Sequence, residues 1–292
     1  MIEAEAGYTL ITPSYDRDFE RCRLLCESID RHAGGTYTHQ IVVDHIDYPL
    51  FRTLAGPRRE IVEKEDLLPR WVRPTNLSLG RFRRRVWISL RSKPLGGWLM
   101  QQVAKMTLAR QAATDIVIVV DSDVCFIRSF TVDRVLRHGK VHLHRVPAAI
   151  ARDKAPHRDW CDTAGRLLAV SPVYPAPDFI SQLVTWRSPH VDALCARIEQ
   201  TTGRHWIAAV ANKRRFSEYL TYGMFIERIL GDAAGHVFED TPLCHSYWDY
   251  APLTAEACRR FVAGAGERQV AVGVQSVSGT PMSLIRSCLL GA

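Results

Sequence analysis

The sequence predicts an α/β protein with a mostly parallel central sheet flanked by helices, and two observations carry this prediction. The chain opens with a strand, a helix and a strand, at Tyr8–Ile11, Phe19–Ile29 and Ile41–Val43. Strands that alternate with helices are typical of a parallel sheet. Further along, Ile116–Val120 is a run of five β-favouring residues. Such a run indicates a central strand that is buried on both faces.

The other elements are assigned from the same periodicities. Charge, Pro and Gly interrupt the pattern from Leu54 to Pro94, where we expect an irregular insertion with short helices. We expect helices over Trp98–Ala113, Phe179–Thr185, Pro189–Thr201 and Ser217–Leu230, and strands over Val141–Val146, His236–Phe238 and Val270–Val274. With no internal repeat or linker, we expect a single domain over 1–292 with a helical second half.

Composition and cysteine usage narrow the class of protein. The 292 residues are 47% apolar and 24% charged, as in a soluble globular protein that can bury a core without disulfides. The eight cysteines are scattered and form no Cys-x-x-Cys pair, which favours free buried thiols in a reducing compartment. No apolar run approaches the roughly 18 residues of a membrane span, and Met1–Glu5 lacks a signal-peptide pattern. We expect a cytoplasmic protein.

Basic residues are clustered, and the net charge is +7. The densest clusters are Arg81–Trp87 and Lys213–Arg215. Such clusters suit anionic partners, although a solvated loop face is an equally simple interpretation. Over Arg81–Arg91, Arg alternates with Phe, Val, Trp and Ile, which suits peripheral docking on an anionic membrane. RNA binding is the other use of such a patch.

A pair of aspartates follows the central strand directly. In open α/β sheets, ligands bind outside the carboxyl ends of the strands, where Asp121 and Asp123 are predicted to lie. Two carboxylates two residues apart can both approach one Mg²⁺ or Mn²⁺ ion, and such an ion can neutralise a departing diphosphate. The alternative is a pair of turn-forming, helix-capping aspartates, since Asp-x-Asp is a common tripeptide.

Four segments resemble a known family of enzymes. Val119–Val124 resembles the DxD segment of the GT-A type glycosyltransferases. Gly97–Lys105, with its Gln-Gln-x-x-Lys pattern, and Phe216–Gly223, with Ser-Glu-Tyr, are similar to a bacterial branch of this superfamily that is often catalogued as of unknown function. Thr12–Tyr15 is similar to the nucleotide-facing first loop. The resemblance covers about residues 8–250.

The resemblance implies a GT-A fold, with a Rossmann-like sheet, and a nucleotide-sugar donor, for which we expect a UDP-sugar. It divides the chain into a nucleotide-binding half, about 1–130, and an acceptor-binding half, about 131–292. It implies a Mn²⁺ or Mg²⁺ cofactor, and a glycan or glycolipid acceptor of the cell envelope. The donor would be contacted by Thr12, Ser14, Tyr15, Asp44, Lys105, Asp121 and Ser122, and the metal ion by Asp121, Asp123 and a late histidine, His245.

Glycosyl transfer to a hydroxyl group also needs a base. Glu218 is our first candidate, because it lies at a predicted helix start among aromatic residues that would desolvate it and raise its pKa. The alternative is that Ser217 and Glu218 only cap the helix. Asp178 is the second candidate and Asp240 the third.

Aromatic residues and two other function classes complete the expectations. Trp160, Trp186 and Trp248 are candidate platforms for sugar stacking, although core packing explains a tryptophan more often. A nucleotidyltransferase or another metal-dependent phosphoryl-transfer enzyme is the first alternative function. No P-loop motif is present, and no Gly-rich loop follows the first strand. A basic nucleic-acid-binding protein is the second alternative, but no zinc-finger spacing or RNA-binding signature supports it.

Overall fold

The computed structural model of the protein describes residues 7–79, 82–213 and 215–289, with the backbone alone for 76–79 and 82–85. The strands are β1 (Tyr8–Pro13), β2 (Tyr37–Val43), β3 (Arg59–Glu63), β4 (Arg73–Leu79), β5 (Phe82–Ile88), β6 (Leu95–Gly96), β7 (Ile116–Val120), β8 (Val124–Phe126), β9 (Leu136–Arg137), β10 (Lys140–His144), β11 (Val146–Ile150), β12 (Ala176–Asp178), β13 (Leu183–Arg187), β14 (His236–Glu239), β15 (Cys244–Tyr247) and β16 (Ala271–Val274). The helices are α1 (Phe19–His32), α2 (Tyr48–Phe51), α3 (Gly97–Gln111), α4 (His157–Leu168), α5 (Ser188–Thr202), α6 (Trp206–Ala211), α7 (Glu218–Phe225), α8 (Ala255–Ala263) and α9 (Met282–Leu289).

The central sheet has five strands in the order β13-β7-β1-β2-β3. Strands β7, β1, β2 and β3 run parallel, and β13 pairs antiparallel with β7 at one edge. All five residues of β7 are buried, as the continuous apolar run predicts for a strand covered on both faces. The predicted fold class, α/β with a mostly parallel central sheet flanked by helices, is confirmed.

Two apolar layers cover the sheet. Side chains alternate between the faces of a strand, so Val117 and Val119 enter the core formed with α3, α5 and α7. Ile118 and Val120 enter the opposite core, which Leu25 of α1 also joins. Every residue of β7 therefore contributes to one of the two cores, and this burial makes β7 a rigid support for the residues that follow it.

A small sheet, in the order β15-β16-β8, is attached just beyond β7. Strand β8 follows β7 after the turn Asp121–Asp123, and β16 pairs antiparallel with β8. The backbone N–H of Val274 donates to the carbonyl oxygen of Asp123 (3.2 Å). The end of strand β16 is thereby brought against Asp123.

The structure corrects two parts of the secondary-structure prediction. The helix predicted over Phe179–Thr185 is wrong, because Leu183–Arg187 forms the edge strand β13, with Val184 and Trp186 in the core. The second half is correspondingly richer in strands than predicted. The irregular insertion predicted over Leu54–Pro94 is also wrong. It contains β3, which extends the central sheet, and the antiparallel strands β4, β5 and β6. Strand β4 is an edge strand, where a proline such as Pro74 is tolerated.

Three further observations bear on the sequence expectations. All eight cysteines are free thiols and seven of them are buried. No helix in the described ranges has the length and apolar character needed to cross a membrane. Of the basic clusters, Arg81 and Arg214 lie outside the described residues, so the proposed docking segment Arg81–Arg91 is only partly described.

Candidate active site

A cavity of about 280 Å³ opens at the carboxyl ends of β1 and β7. Its wall includes four carboxylates and one ammonium group, contributed by Asp18, Asp121, Asp123, Glu218 and Lys105. The edge of an α/β sheet where parallel strands end is the usual place for a ligand. The excess of negative charge makes this cavity suited to a cation and to groups that a cation carries.

Lys105 is the centre of the charged network. Its Nζ donates to Glu218 Oε1 (3.1 Å), to the Tyr219 hydroxyl (2.8 Å) and to Asp121 Oδ1 (3.2 Å). The side chains of Lys105 and Glu218 are only 8% and 4% exposed, and that of Asp121 is 34% exposed. A buried lysine with three oxygen partners is fixed in position, so it aligns two carboxylates from distant parts of the chain.

Burial and charge act against each other on this network. Burial lowers the pKa of Lys105, but Asp121, Tyr219 and Glu218 outweigh it, and its pKa lies well above the usual value. Burial raises the pKa of Glu218, and the Lys105 ammonium partly offsets this rise. Burial likewise raises the pKa of Tyr219 well above its ordinary range. Lys105 is therefore a permanent cation, and Tyr219 remains a neutral phenol.

The helix that carries Glu218 is capped as its sequence predicts. The Ser217 hydroxyl accepts a hydrogen bond from the N–H of Leu220 (3.3 Å) at the start of α7. The N–H of Glu218 itself donates to Gln102 Oε1 of α3 (3.1 Å). Capping and the contact with Lys105 coexist, so Glu218 has a role in the cavity wall beyond that of a helix start.

Asp123 is held from two sides. Its Oδ1 accepts from Gln182 Nε2 (2.8 Å) and its Oδ2 from the N–H of Ser276 (3.1 Å). Burial, together with the negative charges of Asp121 and Asp18, raises the pKa of Asp123 to about 7. A bound cation would reverse this repulsion, because it would stabilise the ionised form.

The oxygen donors fit Mg²⁺ or Mn²⁺, which prefer carboxylates. Among the described residues, no group of three His, Cys, Asp or Glu side chains is arranged to hold a metal ion. This does not oppose the assignment, because Mg²⁺ is usually held by one or two carboxylates together with substrate phosphates. Each oxygen of Asp123 also keeps a second lone pair beside the hydrogen bond it accepts.

His245, the candidate third ligand, is not brought to Asp121 and Asp123. It stacks on Phe261, with ring centroids 4.5 Å apart, and it is not among the described residues that line the cavity. Burial lowers the pKa of His245, so it is a neutral imidazole at pH 7. Its assignment as a metal ligand stays a prediction.

The residues predicted to contact the nucleotide lie at neighbouring strand ends. Ser122 lines the cavity, whereas the Thr12 hydroxyl is buried against His39 Nε2 (3.0 Å). Ser14 is buried, and its N–H donates to the carbonyl oxygen of Val42 (3.0 Å). The other two are Tyr15, which is partly buried at the end of β1, and Asp44, which pairs with buried Lys64 (2.9 Å) at the end of β2.

The two lower-ranked bases lie outside the cavity wall. Asp178 Oδ2 lies 3.3 Å from His157 Nδ1, and its Oδ1 accepts from the N–H of Ile180 (3.0 Å). Asp240 is exposed and accepts from the Thr241 hydroxyl (3.3 Å). Neither lines the described cavity, which places Glu218 first among the candidate bases.

Three tryptophans stand around the cavity: Trp98, Trp160 and Trp248. Trp98 and Trp160 are stacked, with centroids 5.9 Å apart and ring planes inclined by 27°. Trp186 is different, because it is 1% exposed and packs against Tyr222 in the core. The expectation that Trp186 is a stacking platform is therefore wrong.

Sequence reasoning missed three contributors to the site. Asp18, which directly precedes α1, was not among the predicted site residues, although it lines the cavity beside Asp121 and Asp123. Gln182 was placed in a helix, and Trp98 was only the first residue of the helix predicted over Trp98–Ala113. The Gln-Gln-x-x-Lys spacing was a usable signal for Trp98, because residues three, four and seven apart share one face of a helix.

Comparisons with known proteins add a family and a structural likeness. Residues 8–255 match a family described as a family of unknown function, DUF6492, and the chain belongs to that family. No curated protein matches the chain. Among solved structures 246 chains match. One is a crystal structure of an active-site mutant of LgtC, with a TM-score of 0.47 and 12% sequence identity, over 91% of this chain and 86% of that one.

Proposed function

We propose that this member of the DUF6492 family is a metal-dependent glycosyltransferase that uses a nucleotide-sugar donor, with a UDP-sugar as the first choice. One observation carries the proposal. Asp121, Asp123, Lys105 and Glu218, which come from three separate segments, meet in one cavity whose rim carries exposed indole rings. Carboxylates suit the cation of a diphosphate, and indole rings suit the apolar face of a sugar.

The metal ion, held by Asp121 and Asp123, would supply charge neutralisation for the departing nucleoside diphosphate. Lys105 keeps Asp121 and Glu218 at fixed positions through its two ion pairs. Because this ammonium group is permanently charged, it also favours an anionic group in the cavity. Asp121 is the more accessible carboxylate at this point, and we assign it to both the cation and the donor ribose.

Glu218 is the proposed base. A carboxylate in this position accepts the proton of the acceptor hydroxyl at one Oε as the new glycosidic bond forms. Burial raises its pKa, which makes it a stronger base than an exposed glutamate. We expect Glu218→Gln to abolish transfer and to leave donor affinity almost intact. Turnover of that variant at the wild-type rate would remove Glu218 from this role, and Asp178 would be tested next.

The nucleotide is proposed to lie over the ends of β1 and β2. Thr12, Ser14 and Tyr15 end β1, and Asp44 follows β2, the next strand of the sheet. These strands belong to the first half of the chain, and Glu218 comes from the second. This arrangement supports a division into a donor half, about 1–130, and an acceptor half, about 131–292.

Thermal unfolding with a panel of sugar nucleotides, with and without Mn²⁺, tests the donor and the metal together. We expect stabilisation that needs both, because the cation and the diphosphate bind as one unit. A product assay with the same panel then identifies the sugar transferred. Release of pyrophosphate would support a nucleotidyltransferase instead. Stabilisation by an oligonucleotide alone would support a nucleic-acid-binding protein.

The acceptor is proposed to be a cell-envelope or lipid-linked glycan, reached by an enzyme on the inner face of the membrane. The support is the basic composition of Arg81–Arg91, whose described backbone includes strand β5. Sedimentation with anionic liposomes at low salt tests this contact, since electrostatic binding is strongest there. Absence of binding under those conditions would leave a freely diffusing enzyme.

A further inference from the structure

We propose that the exposed face of Trp98 is the subsite for a pyranose ring of the acceptor, with Gln102 supplying a polar contact behind it. The inference rests on the proposed function and extends it to the chemistry of the acceptor. Trp98 lies on the first turn of α3, and its side chain is 53% exposed although it lines the cavity. A half-exposed indole beside a charged cavity has one unused apolar face.

The indole is fixed before any ligand arrives. One face of Trp98 is stacked on Trp160, which is itself stacked on His157 (centroids 4.9 Å apart, planes inclined by 24°). Asp178 lies 3.3 Å from Nδ1 of His157 and holds the far end of this row of rings. Pre-ordered rings lose little conformational freedom on binding, which favours recognition by stacking.

The side chains on one face of α3 change from apolar at the opening of the cavity to charged at its inner end. Trp98, Gln102 and Lys105 are spaced by four and three residues, so they lie on one face of the helix. The rise from Trp98 to Lys105 is about 10 Å along the axis. A ligand whose apolar face lies on the indole therefore presents its other groups towards Lys105 and Glu218.

This change from apolar to charged groups along the cavity wall suits a sugar ring. A pyranose has C–H groups on its faces and hydroxyl groups around its edge, so one molecule can satisfy an indole and a polar floor together. A purely apolar ligand would leave the carboxylates unpaired, and a free phosphate would leave the indole uncovered.

Gln102 supplies the second observation. The N–H of Glu218 donates to Oε1 of Gln102 (3.1 Å), and this fixes which end of the amide faces α7. The side chain is 3% exposed and lines the cavity, yet its Nε2 has no hydrogen-bond partner among the described residues. An unpaired buried N–H₂ group costs free energy, and an oxygen atom of a ligand would satisfy it.

Other occupants of this wall are less well supported. The nucleotide base needs an aromatic or apolar contact too, but its proposed position lies over β1 and β2. Trp98 and Trp160 belong instead to α3 and α4. Trp248, which is 52% exposed, also lines the cavity and is a second indole that a sugar ring can contact.

Steady-state kinetics with methyl pyranosides of glucose, galactose and N-acetylglucosamine as acceptors test the proposal. We expect Trp98→Ala to raise the acceptor KM about tenfold or more, the factor that 1.4 kcal/mol of lost contact represents. The donor KM and the Mn²⁺-dependent hydrolysis of the donor by water should stay within twofold. Trp98→Phe should recover most of the loss, because it keeps an aromatic face. Phe238→Ala, at an exposed aromatic residue outside the cavity, should have no effect.

Two outcomes would overturn the proposal, and a binding measurement separates it from the proposed function. The first is an acceptor KM that is unchanged in Trp98→Ala. The second is a rise in the donor KM of that variant in place of a rise in the acceptor KM. Binding of the same pyranosides is measured by saturation-transfer NMR on the wild type and Trp98→Ala, without any donor. Binding lost in the variant supports the sugar subsite even if no donor is ever turned over, in which case only the transferase assignment fails.

Discussion

Replacing Lys105 by methionine is the most direct test of the charged network. The substitution keeps a long apolar side chain in α3 and removes the ammonium group that contacts Asp121, Glu218 and Tyr219. It leaves Glu218, which is 4% exposed, without a counterion. The prediction is a loss of stability together with a loss of activity.

The size of the stability loss depends on whether Glu218 keeps its charge or takes up a proton. Breaking a buried ion pair typically costs about 3–5 kcal/mol, because an uncompensated charge remains. The carboxyl can escape part of this cost by taking up a proton. Protonating a carboxyl of ordinary pKa 4.5 at pH 7 costs about 3.4 kcal/mol. We therefore expect Lys105→Met to lower the free energy of unfolding by about 3 kcal/mol at pH 7.

Urea unfolding at pH 7 measures this change in the free energy of unfolding, and two further variants test its cause. The double variant Lys105→Met, Glu218→Gln should recover at least about 2 kcal/mol, because the neutral amide removes the stranded charge, while activity stays lost. Arg110→Met, on the same helix, breaks a largely exposed pair with Asp192 and should cost less than about 1 kcal/mol. A loss below about 1 kcal/mol in Lys105→Met, or no recovery in the double variant, would refute the network argument.

Three more predictions concern the metal ion, acid stability and packing. Chelation of the metal ion should abolish donor turnover, and added Mn²⁺ should restore it. Asp123→Asn should need a higher Mn²⁺ concentration for half-maximal turnover, because one anionic ligand is lost. Turnover in excess EDTA would contradict this prediction. Burial lowers the pKa of His236 to about 3. Below about pH 6.5 the unfolded chain therefore binds one proton more than the folded chain does. The free energy of unfolding in urea should be fully present above about pH 6.5 and should decrease as the pH is lowered from about 6.5 to about 3. A flat profile would count against this prediction. Gly223→Ala would place a Cβ 2.2 Å from Phe179 Cγ. The free energy of unfolding of this variant should be lower by roughly 1–3 kcal/mol. An unchanged urea midpoint would show that the Phe179 ring can move aside.

The fold was predictable from the sequence where burial and periodicity coincide. Ile116–Val120 is buried at every residue, so its composition alone identified a central strand with the correct bounds. Strand β13 was missed because Leu183–Arg187 follows three prolines and is only five residues long, a length at which helical and extended patterns are hard to separate. Its pairing with β7 is a tertiary contact that no local pattern expresses.

The candidate site was predictable only where its members are near in sequence or share a recognisable segment. Lys105 was proposed from the family resemblance, Asp121 from its place after the central strand and Glu218 from its place at a predicted helix start. The structure brings the three together. Gln182 could not be found, because its place beside the aspartates depends on the register of β13 against β7. That register pairs Leu183 with Val120, so the preceding residue lies opposite Asp121.

Gln182 also explains why the two aspartates of the motif are not equivalent. Its carbonyl oxygen accepts from the N–H of Asp121 (3.0 Å), and its Nε2 donates to Asp123 Oδ1 (2.8 Å). Asp123 is thus fixed by Gln182 and by the N–H of Ser276, whereas the Asp121 carboxylate contacts Lys105 and stays partly exposed. A cation that arrives with a diphosphate therefore meets one carboxylate held by Gln182 and Ser276 and a second, partly exposed one held by Lys105. We therefore expect the loss of Asp123 to weaken cation binding, and the loss of Asp121 to weaken both cation and donor binding.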